Sequence, residues 1–211
     1  MPRRSYAQYD AAARSLDVVG ERWTLLIVRE LAFGPRRYTD LHADLPGIST
    51  DVLAARLKEL EADGVVERRT FAPSAPVRVY DLTERGRELV PVVMALASWG
   101  SPLLAEHLST DAVRHHWYLL PLAEILRRAA GGVDGVVELH VEGSNCRLRF
   151  ESWRATVVPD EAPEAVVTVS QKVADELLAG RLAWADAVAD GQVAVDGSSA
   201  VATQLSVGRA P

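Results

Sequence analysis

The chain has 211 residues, of which 48% are apolar and 25% charged, and its formal net charge at pH 7 is −6. This composition is typical of a folded protein and excludes an intrinsically disordered chain. Its apolar runs fall short of the ~18 residues that a membrane helix needs, and no apolar signal core follows the basic first residues, so we expect a cytoplasmic protein without membrane partners. A single cysteine, Cys146, excludes a disulfide framework and a cysteine-rich zinc site.

The negative charge belongs to the second half of the chain. Residues 1–100 carry 14 basic and 14 acidic side chains, whereas residues 101–211 carry 9 and 15. A neutral first half remains compatible with DNA binding, and the acidic second half is not a nucleic-acid surface.

The first hundred residues predict four helices, a two-stranded ribbon and a long helix. Ser49 or Thr50 offers a side-chain oxygen to the free amides of the fourth helix, and Pro91 lies inside the long helix, where we expect a kink. This order is that of a winged helix-turn-helix domain. The predicted helices cover residues 11–19, 23–32, 38–45, 51–63 and 84–108, and the predicted strands cover residues 65–71 and 77–82.

Three segments of this half carry a more specific signal. They are ARSLDVVGERWTLLIVRELAFGPRRYTDLHADLPGIS, LAARLKELEADGVVERR and the stretch from VRVYDLTERGREL to WG. Together they closely resemble the HxlR-type transcriptional regulators over about residues 10–100. The resemblance implies a dimeric winged-helix regulator, in which the first and last helices form the dimer interface and the helix at residues 49–63 enters the major groove.

One position departs from the pattern of that family. Many HxlR-type proteins have a cysteine just before the first helix, and some members use it to sense oxidants or electrophiles. Asp10 stands at that position here, and Cys146 lies far outside the matching region. We therefore do not expect thiol sensing by that route.

The fourth predicted helix divides into an apolar face and a polar N-terminal turn. Leu53, Leu57 and Leu60 recur at helical spacing and are expected to face the core. In helix-turn-helix proteins the N-terminal turn of the second helix carries the base contacts. Thr50 can donate to a base edge or touch a thymine methyl group, and Asp51 can accept from a cytosine amine. Asp51 can equally serve only the helix dipole.

Basic residues surround this turn. Arg36 and Arg37 precede the third helix, where they have a ready use as phosphate clamps and no evident use in a dimer interface. Arg56 either braces the domain or reaches a phosphate. The residues predicted to bind DNA, with the basic ones assigned to phosphates or the minor groove, are Arg36, Arg37, Thr39, Ser49, Thr50, Asp51, Ala54, Arg56, Lys58, Arg69 and Arg78.

The long helix carries an apolar stripe. Its predicted members, Leu89, Val93, Leu96 and Trp99, exceed what a domain of ~90 residues can cover, so we expect them to pair with a two-fold partner, helped by the first helix. Such a dimer presents two recognition helices about one DNA turn apart, which predicts a near-palindromic operator.

The second half predicts an α+β layer. Residues 109–132 form a helical bridge, in which the adjacent His115 and His116 point about 100° apart on a helix and cannot both chelate one metal ion, so we expect no metal or other cofactor. The order expected beyond it is strands over residues 136–141, 146–150, 156–158 and 165–169, helices over 173–179 and 183–189, a strand over 192–195 and a closing helix from Ser198.

The segment VTVSQKVADELLAGRLAWADAVADGQVAVDG resembles the C-terminal part of the sterol carrier protein fold. That resemblance covers about residues 133–207 and implies an apolar tunnel for a hydrophobic ligand. Trp117, Trp153, Trp184 and Arg154 are the candidate ligand-binding residues, although each tryptophan is also compatible with ordinary core packing. Arg147 and Arg149 can orient a ligand carboxylate, but their alternation along a strand favours exposure to solvent.

Two functions remain open from the sequence. The favoured one is a ligand-controlled regulator, by default a repressor, with a DNA-binding and dimerisation domain at residues 1–108, the bridge at 109–132 and a sensor at 133–211. The alternative is a hydrophobic-ligand carrier or cryptic enzyme whose helical front serves only dimerisation. Arg36 and Arg37 favour the regulator, and the absence of a nucleophile–base pair, a phosphate loop or a metal triplet from the sequence predicts that the protein is not an enzyme.

Overall fold

A computed structural model describes residues 5–71, 76–105, 110–152 and 154–208. The chain divides into two units, Met1–Val90 and Pro91–Pro211. Both mix helices with strands, as the α+β class predicts. No helix within the described ranges has the length and apolar character needed to cross a membrane.

The first unit is a winged helix-turn-helix, as its element order predicts. Leu53, Leu57 and Leu60 are all buried, together with Ile27 and Leu41 of the preceding helices. The strands β1 and β2 pair in antiparallel fashion and form the wing. The elements are α1 (Ala11–Val19), α2 (Thr24–Leu31), α3 (Tyr38–Asp44), α4 (Thr50–Ala62), β1 (Val66–Phe71), β2 (Val77–Leu82) and α5 (Glu84–Arg87).

The single long helix expected over residues 84–108 is wrong. Helix α5 ends at Arg87, α6 begins at Val90 and runs to Gly100, and a 3-10 helix follows over Ser101–Ala105; residues 106–108 lie outside the described ranges. Pro91 explains the break, because proline has no N–H and its ring clashes with the carbonyl group four residues earlier, that of Arg87. The effect of Pro91 is therefore a break before it rather than a kink.

The base of the wing is held by a short, tightly packed turn. Thr83 caps α5 by accepting a hydrogen bond from the backbone N–H of Gly86 at 3.0 Å, and its hydroxyl donates to the carbonyl oxygen of Gly64 at 2.6 Å. Gly86 is buried against the carbonyl group of Val65. This packing leaves no room for a side chain at Gly86.

The second unit is built on a five-stranded sheet with strand order β5-β4-β3-β6-β7. Strands β3 and β6 are parallel and the other pairs antiparallel. Glu142 and Gly143 join β3 to β4 with positive φ angles of 45° and 82°, as a two-residue type I′ hairpin requires. After α6 and the first 3-10 helix, the elements are a 3-10 helix (His115–Tyr118), α7 (Leu119–Ala129), β3 (Gly135–Val141), β4 (Ser144–Glu151), β5 (Arg154–Val157), β6 (Ala165–Val169), α8 (Gln171–Leu178), α9 (Trp184–Ala189), β7 (Val193–Asp196) and α10 (Ala200–Val207).

The two faces of this sheet differ in chemistry. One face is apolar and buried, with Leu139, Leu148 and Val167 as examples. Helix α7 contacts β3, β4 and β5, and α10 contacts β3, β6 and β7. The opposite face carries charged side chains such as Glu138 and Arg147, which form an ion pair at 2.6 Å. The alternation along the strands thus produces a covered face and a polar face.

Replacing Gly86 with alanine should destabilise the winged unit, because the new Cβ would lie 2.0 Å from the carbonyl oxygen of Val65. Overpacking of this kind costs about 1–3 kcal/mol, and urea unfolding followed by circular dichroism should show a lower midpoint. Gly100→Ala is the matched control, since a Cβ at Gly100 meets no described heavy atom within 4 Å. Its midpoint should stay the same or rise slightly, and a wild-type midpoint for Gly86→Ala would contradict this account.

Candidate nucleic-acid interface

The first turn of α4 is exposed and well capped. Ser49 is the N-cap residue, and its hydroxyl accepts a hydrogen bond from the backbone N–H of Val52 at 3.3 Å. Thr50, Asp51 and Ala54 are exposed on the same helix whose leucines are buried. The predicted cap is therefore Ser49, and the side chains predicted to contact bases lie on the open side of the helix.

Three exposed cations around this helix have no ion-pair partner among the described residues. They are Arg37 at the start of α3, Lys58 in α4 and Arg78 in the wing strand β2. An exposed cation without an internal carboxylate keeps its full charge available for a phosphate group. These three side chains are the strongest candidates for contacts with the phosphate backbone of DNA.

Arg56, by contrast, is half-buried and paired within the unit. Its guanidinium lies 2.6 Å from the carboxylate of Glu59 and 3.9 Å from that of Glu21. Glu21 lies in the segment between α1 and α2, so Arg56 ties α4 to the preceding helices. These contacts are those expected of the bracing role that the sequence left open.

Arg69 and Arg36 also have internal partners. Arg69 forms ion pairs with Glu67 at 2.6 Å and with Asp81 at 3.0 Å, and both pairs raise the pKa of its guanidinium. Arg36 has a looser contact of 3.9 Å with the carboxylate of Asp44. These arginines are therefore less free to bind phosphate than Arg37 is.

The start of α3 is fixed by Asp40. Its carboxylate accepts a hydrogen bond from the backbone N–H of Arg37 at 3.3 Å and one from the hydroxyl of Thr39 at 3.4 Å. Thr39 itself is exposed. This arrangement holds the backbone of Arg37 in place while its guanidinium remains outside.

Two contacts of this surface were missed from the sequence. The backbone of Arg36 pairs with that of Tyr80 in both directions, at 2.9 and 2.8 Å, and so joins the start of α3 to the wing. The hydroxyl of Tyr38 donates to the carbonyl oxygen of Thr50 at 2.8 Å. Neither contact has a periodic signal, because both involve backbone groups of residues far apart in the sequence.

The candidate ligand-binding residues differ widely in their surroundings. Trp184 is buried, and its indole N–H donates to the carbonyl oxygen of Leu205 at 3.0 Å, which is a contact typical of a core tryptophan. Trp117 is half-buried, with the guanidinium of Arg114 5.9 Å from its ring centroid. Arg154 is exposed at the start of β5, and Trp153 lies outside the described residues.

Arg147 and Arg149 hold the connection between β5 and β6. The guanidinium of Arg147 donates to the carbonyl oxygens of Pro159 and Glu161, each at 3.2 Å. Arg149 binds the carboxylate of Glu161, and this pairing raises the pKa of the arginine. Both side chains are partly exposed, as their alternation predicts, and both also have internal partners.

The single cysteine of the chain is unsuited to thiol chemistry. Cys146 is buried, and burial raises the pKa of its thiol to about 12. Asp10 is the N-cap residue of α1, where its carboxylate accepts a hydrogen bond from the backbone N–H of Ala13 at 2.8 Å. Asp10 thus has a structural role in this chain.

The stripe predicted for the dimer interface is only partly exposed. Val93 is buried and Leu89 half-buried, whereas Leu96 and Trp99 are 49% and 76% exposed. The exposed apolar surface of α6 and the following 3-10 helix, here called the α6 stripe, comprises Val92, Leu96, Trp99, Leu103 and Leu104. Val92, Leu103 and Leu104 were not among the residues predicted for the dimer interface.

A helix-turn-helix with a capped, exposed second helix and a β-ribbon wing defines a DNA-binding transcriptional regulator. The family model described as HxlR-like helix-turn-helix matches residues 18–108. The HTH-type transcriptional regulator YvaP of Bacillus subtilis is 40% identical over 89 residues, which are 42% of this chain and 82% of that relative. The chain therefore belongs to the HxlR-like helix-turn-helix family, and the protein is a regulator rather than an enzyme.

The chain is also similar to a second regulator of Bacillus subtilis. The HTH-type transcriptional regulator YodB of Bacillus subtilis is 41% identical over 86 residues, which are 40% of this chain and 76% of that relative. The solved structure of YodB in its reduced form is 34% identical, covers 44% of this chain and 93% of its own, and has a TM-score of 0.40. The family match ends at residue 108, so most of the second unit lies beyond it.

Proposed function

We propose that the protein is a repressor that binds a near-palindromic operator as a two-fold dimer and releases it in response to an apolar or amphipathic small molecule bound by residues 133–211. The observation that carries the DNA-binding part is the exposed first turn of α4 with three cations around it that lack internal ion pairs. Repression by occluding a promoter requires the fewest additional parts and is therefore the proposed mode of action.

In this proposal the first turn of α4 lies in the major groove. Thr50 donates to a base edge or contacts a thymine methyl group, and Asp51 accepts from a cytosine amine or serves the helix dipole. Ala54 is small and exposed, which lets the helix approach the bases closely. The hydroxyl of Ser49 already caps the helix, so Ser49 contributes to DNA binding by positioning the first turn of α4.

The contacts with the DNA phosphates are assigned to the cations that have no internal ion pair. Arg37, Lys58 and Arg78 bind phosphates or enter the minor groove beside the wing, and Arg56 supports them from inside the unit. Each phosphate neutralised by the protein contributes close to one unit to the slope of log K against log salt. Three such contacts per protomer are six in the dimer, which gives a slope of about −5. Phosphate contacts carry no sequence information directly, so the discrimination must come from the base contacts.

Replacing Arg37 with alanine should weaken binding to every DNA sequence and lower the salt slope by about one unit per lost phosphate contact. Fluorescence anisotropy with a labelled duplex at several salt concentrations measures both quantities. Arg128→Ala is the matched control, because it removes the same charge from an exposed arginine that is paired with Glu124 in the second unit. Unchanged affinity and slope for Arg37→Ala would show that this docking is incorrect.

The dimer in this proposal is formed through the α6 stripe. Leu96, Trp99 and Leu103 project a contiguous series of large apolar side chains from one helix and its extension. Exposed apolar patches of this kind mark association sites, and a two-fold axis allows the same patch on two copies to bury itself. The resulting pair of α4 helices fits two half-sites about one DNA turn apart.

Trp99→Glu should dissociate the dimer, because it places a charge at the most exposed member of the α6 stripe that would become buried. Analytical ultracentrifugation at micromolar concentration should find the wild type dimeric and the variant monomeric. Val207→Glu is the control, since Val207 of α10 is also large, apolar and 61% exposed but lies outside the stripe. A wild type that sediments as a monomer would refute the dimer.

Three features of the second unit support a sensor. Its sheet has an apolar face covered by helices, and apolar side chains line most sites for hydrophobic ligands. Its acidic composition disfavours a polyanionic ligand and suits an apolar one with few polar anchors. Trp117 is half-buried beside Arg114, so it can report or line a ligand site near the start of α7.

Coupling in this proposal runs through residues 84–126, which connect the wing to the sheet. A ligand alters DNA affinity only if it binds two states of the protein differently, and coupling of about 1–3 kcal/mol is usual. That range corresponds to about 5–150-fold in affinity. The structural elements in this region are α5, α6, the two 3-10 helices and the first part of α7.

A gel shift with the DNA that flanks the protein's own gene, repeated with a panel of hydrophobic metabolites, tests the sensor. At least one compound should weaken DNA binding within the range above and quench tryptophan fluorescence. The quenching should be lost in Trp117→Phe and kept in Trp184→Phe, because the indole of Trp184 is already bonded in the core. Failure of every compound to bind, or binding without any effect on DNA affinity, would contradict the sensor.

A further inference from the structure

Tyr38 joins the two helices of the helix-turn-helix at the point where DNA is to be read. It is the first residue of α3, and its hydroxyl donates to the carbonyl oxygen of Thr50, the first residue of α4, at 2.8 Å. The bond uses the backbone of Thr50 and leaves its side chain free. A single hydroxyl thereby fixes the backbone that carries the leading base-contact residue.

The phenol ring of Tyr38 is itself held in place. It stacks on the imidazole of His42, one turn along α3, with centroids 6.5 Å apart and an interplanar angle of 15°. Burial, with the nearby Tyr80 and Asp51, raises the pKa of the Tyr38 hydroxyl. The hydroxyl therefore remains protonated at neutral pH and remains a donor to Thr50.

The residues just before Tyr38 connect the same point to the wing. The backbone of Arg36 pairs with Tyr80 of β2 through two hydrogen bonds, and Arg37 stands between Arg36 and Tyr38 with its guanidinium exposed. Three consecutive residues thus contact the wing, present a cation and hold the first turn of α4. Preorganisation of this kind is what an accurate binding site needs.

We infer that Tyr38 is a positioning residue for DNA recognition, whose hydroxyl sets the first turn of α4 in register with the phosphate contact of Arg37 and with the wing. The inference rests on the proposed function, in which Thr50 reads a base. Tyr38 itself contacts no base. Its effect is exerted through Thr50 and is confined to sequence-specific binding.

Tyr38→Phe removes the hydroxyl alone and keeps the ring that stacks on His42. Loss of one neutral hydrogen bond predicts an affinity about three- to ten-fold lower for a duplex selected by the wild-type protein from a randomised library. Affinity for an unrelated duplex of equal length, and the salt slope, should stay unchanged. Tyr118→Phe is the matched control, because it removes a hydroxyl that donates to Asp175 at 2.8 Å in the second unit.

A double-mutant cycle with Thr50→Ala separates positioning from a merely structural role. Thr50→Ala keeps the carbonyl group but removes the side chain that reads the base, so adding Tyr38→Phe to it should cost no further specific affinity. An equal loss for both duplexes, or a cost that persists in full in the Thr50→Ala background, would overturn the inference. Fluorescence anisotropy on the full chain supplies all of these affinities.

The same cycle distinguishes failure of the inference from failure of the proposed function. If Thr50→Ala lowers specific affinity and Tyr38→Phe does not, the inference alone is overturned. If Thr50→Ala changes nothing, base reading by Thr50 is refuted and the inference falls with it. If the wild type enriches no duplex from the library, sequence-specific binding itself is refuted.

Discussion

The buried carboxylate of Asp81 is the contact on which the geometry of the wing depends. Asp81 is only 1% exposed and is held by Arg69 of β1 at 3.0 Å, by Arg87 of α5 at 2.9 Å and by the backbone N–H of Leu82. A buried charge is tolerated only when it is paired and hydrogen-bonded, so the three elements must stay together. Because β2 also pairs with Arg36, a fixed wing is the precondition for a fixed start of α3.

The need for such internal ion pairs explains how a unit with as many acidic as basic residues can bind DNA. Arg56, Arg69 and Arg87 bind carboxylates of their own unit and hold elements in place, whereas Arg37 and Lys58 remain exposed. Internal pairing lowers the positive charge that is available for phosphate contacts, and such contacts attract every DNA sequence equally. Under the proposed function, the result is modest non-specific affinity and a larger share of binding energy from base contacts whose positions the paired arginines maintain.

The periodicity of the sequence predicts the helices, caps and strands that local patterns determine. It does not predict contacts with backbone groups far away in the sequence. The leucine face of α4, its cap at Ser49 and the strand runs of the second unit follow from spacing and capping rules, and the structure agrees. The prediction of a single helix over residues 84–108 was wrong, because it followed the apolar spacing and did not account for the clash of Pro91 with the carbonyl group of Arg87. The bond from Tyr38 to the Thr50 backbone spans twelve residues, and no side-chain pattern encodes it.

The chemistry of the chain also limits the kind of signal that it can receive. Its only cysteine has a thiol pKa of about 12, and the thiolate that would react with an oxidant or electrophile is scarce at neutral pH. Asp10, which precedes the first helix, caps α1. Under the proposed function, a ligand of the second unit must therefore act without thiol chemistry, and the size of its effect equals the difference between its affinities for the DNA-binding state and the released state.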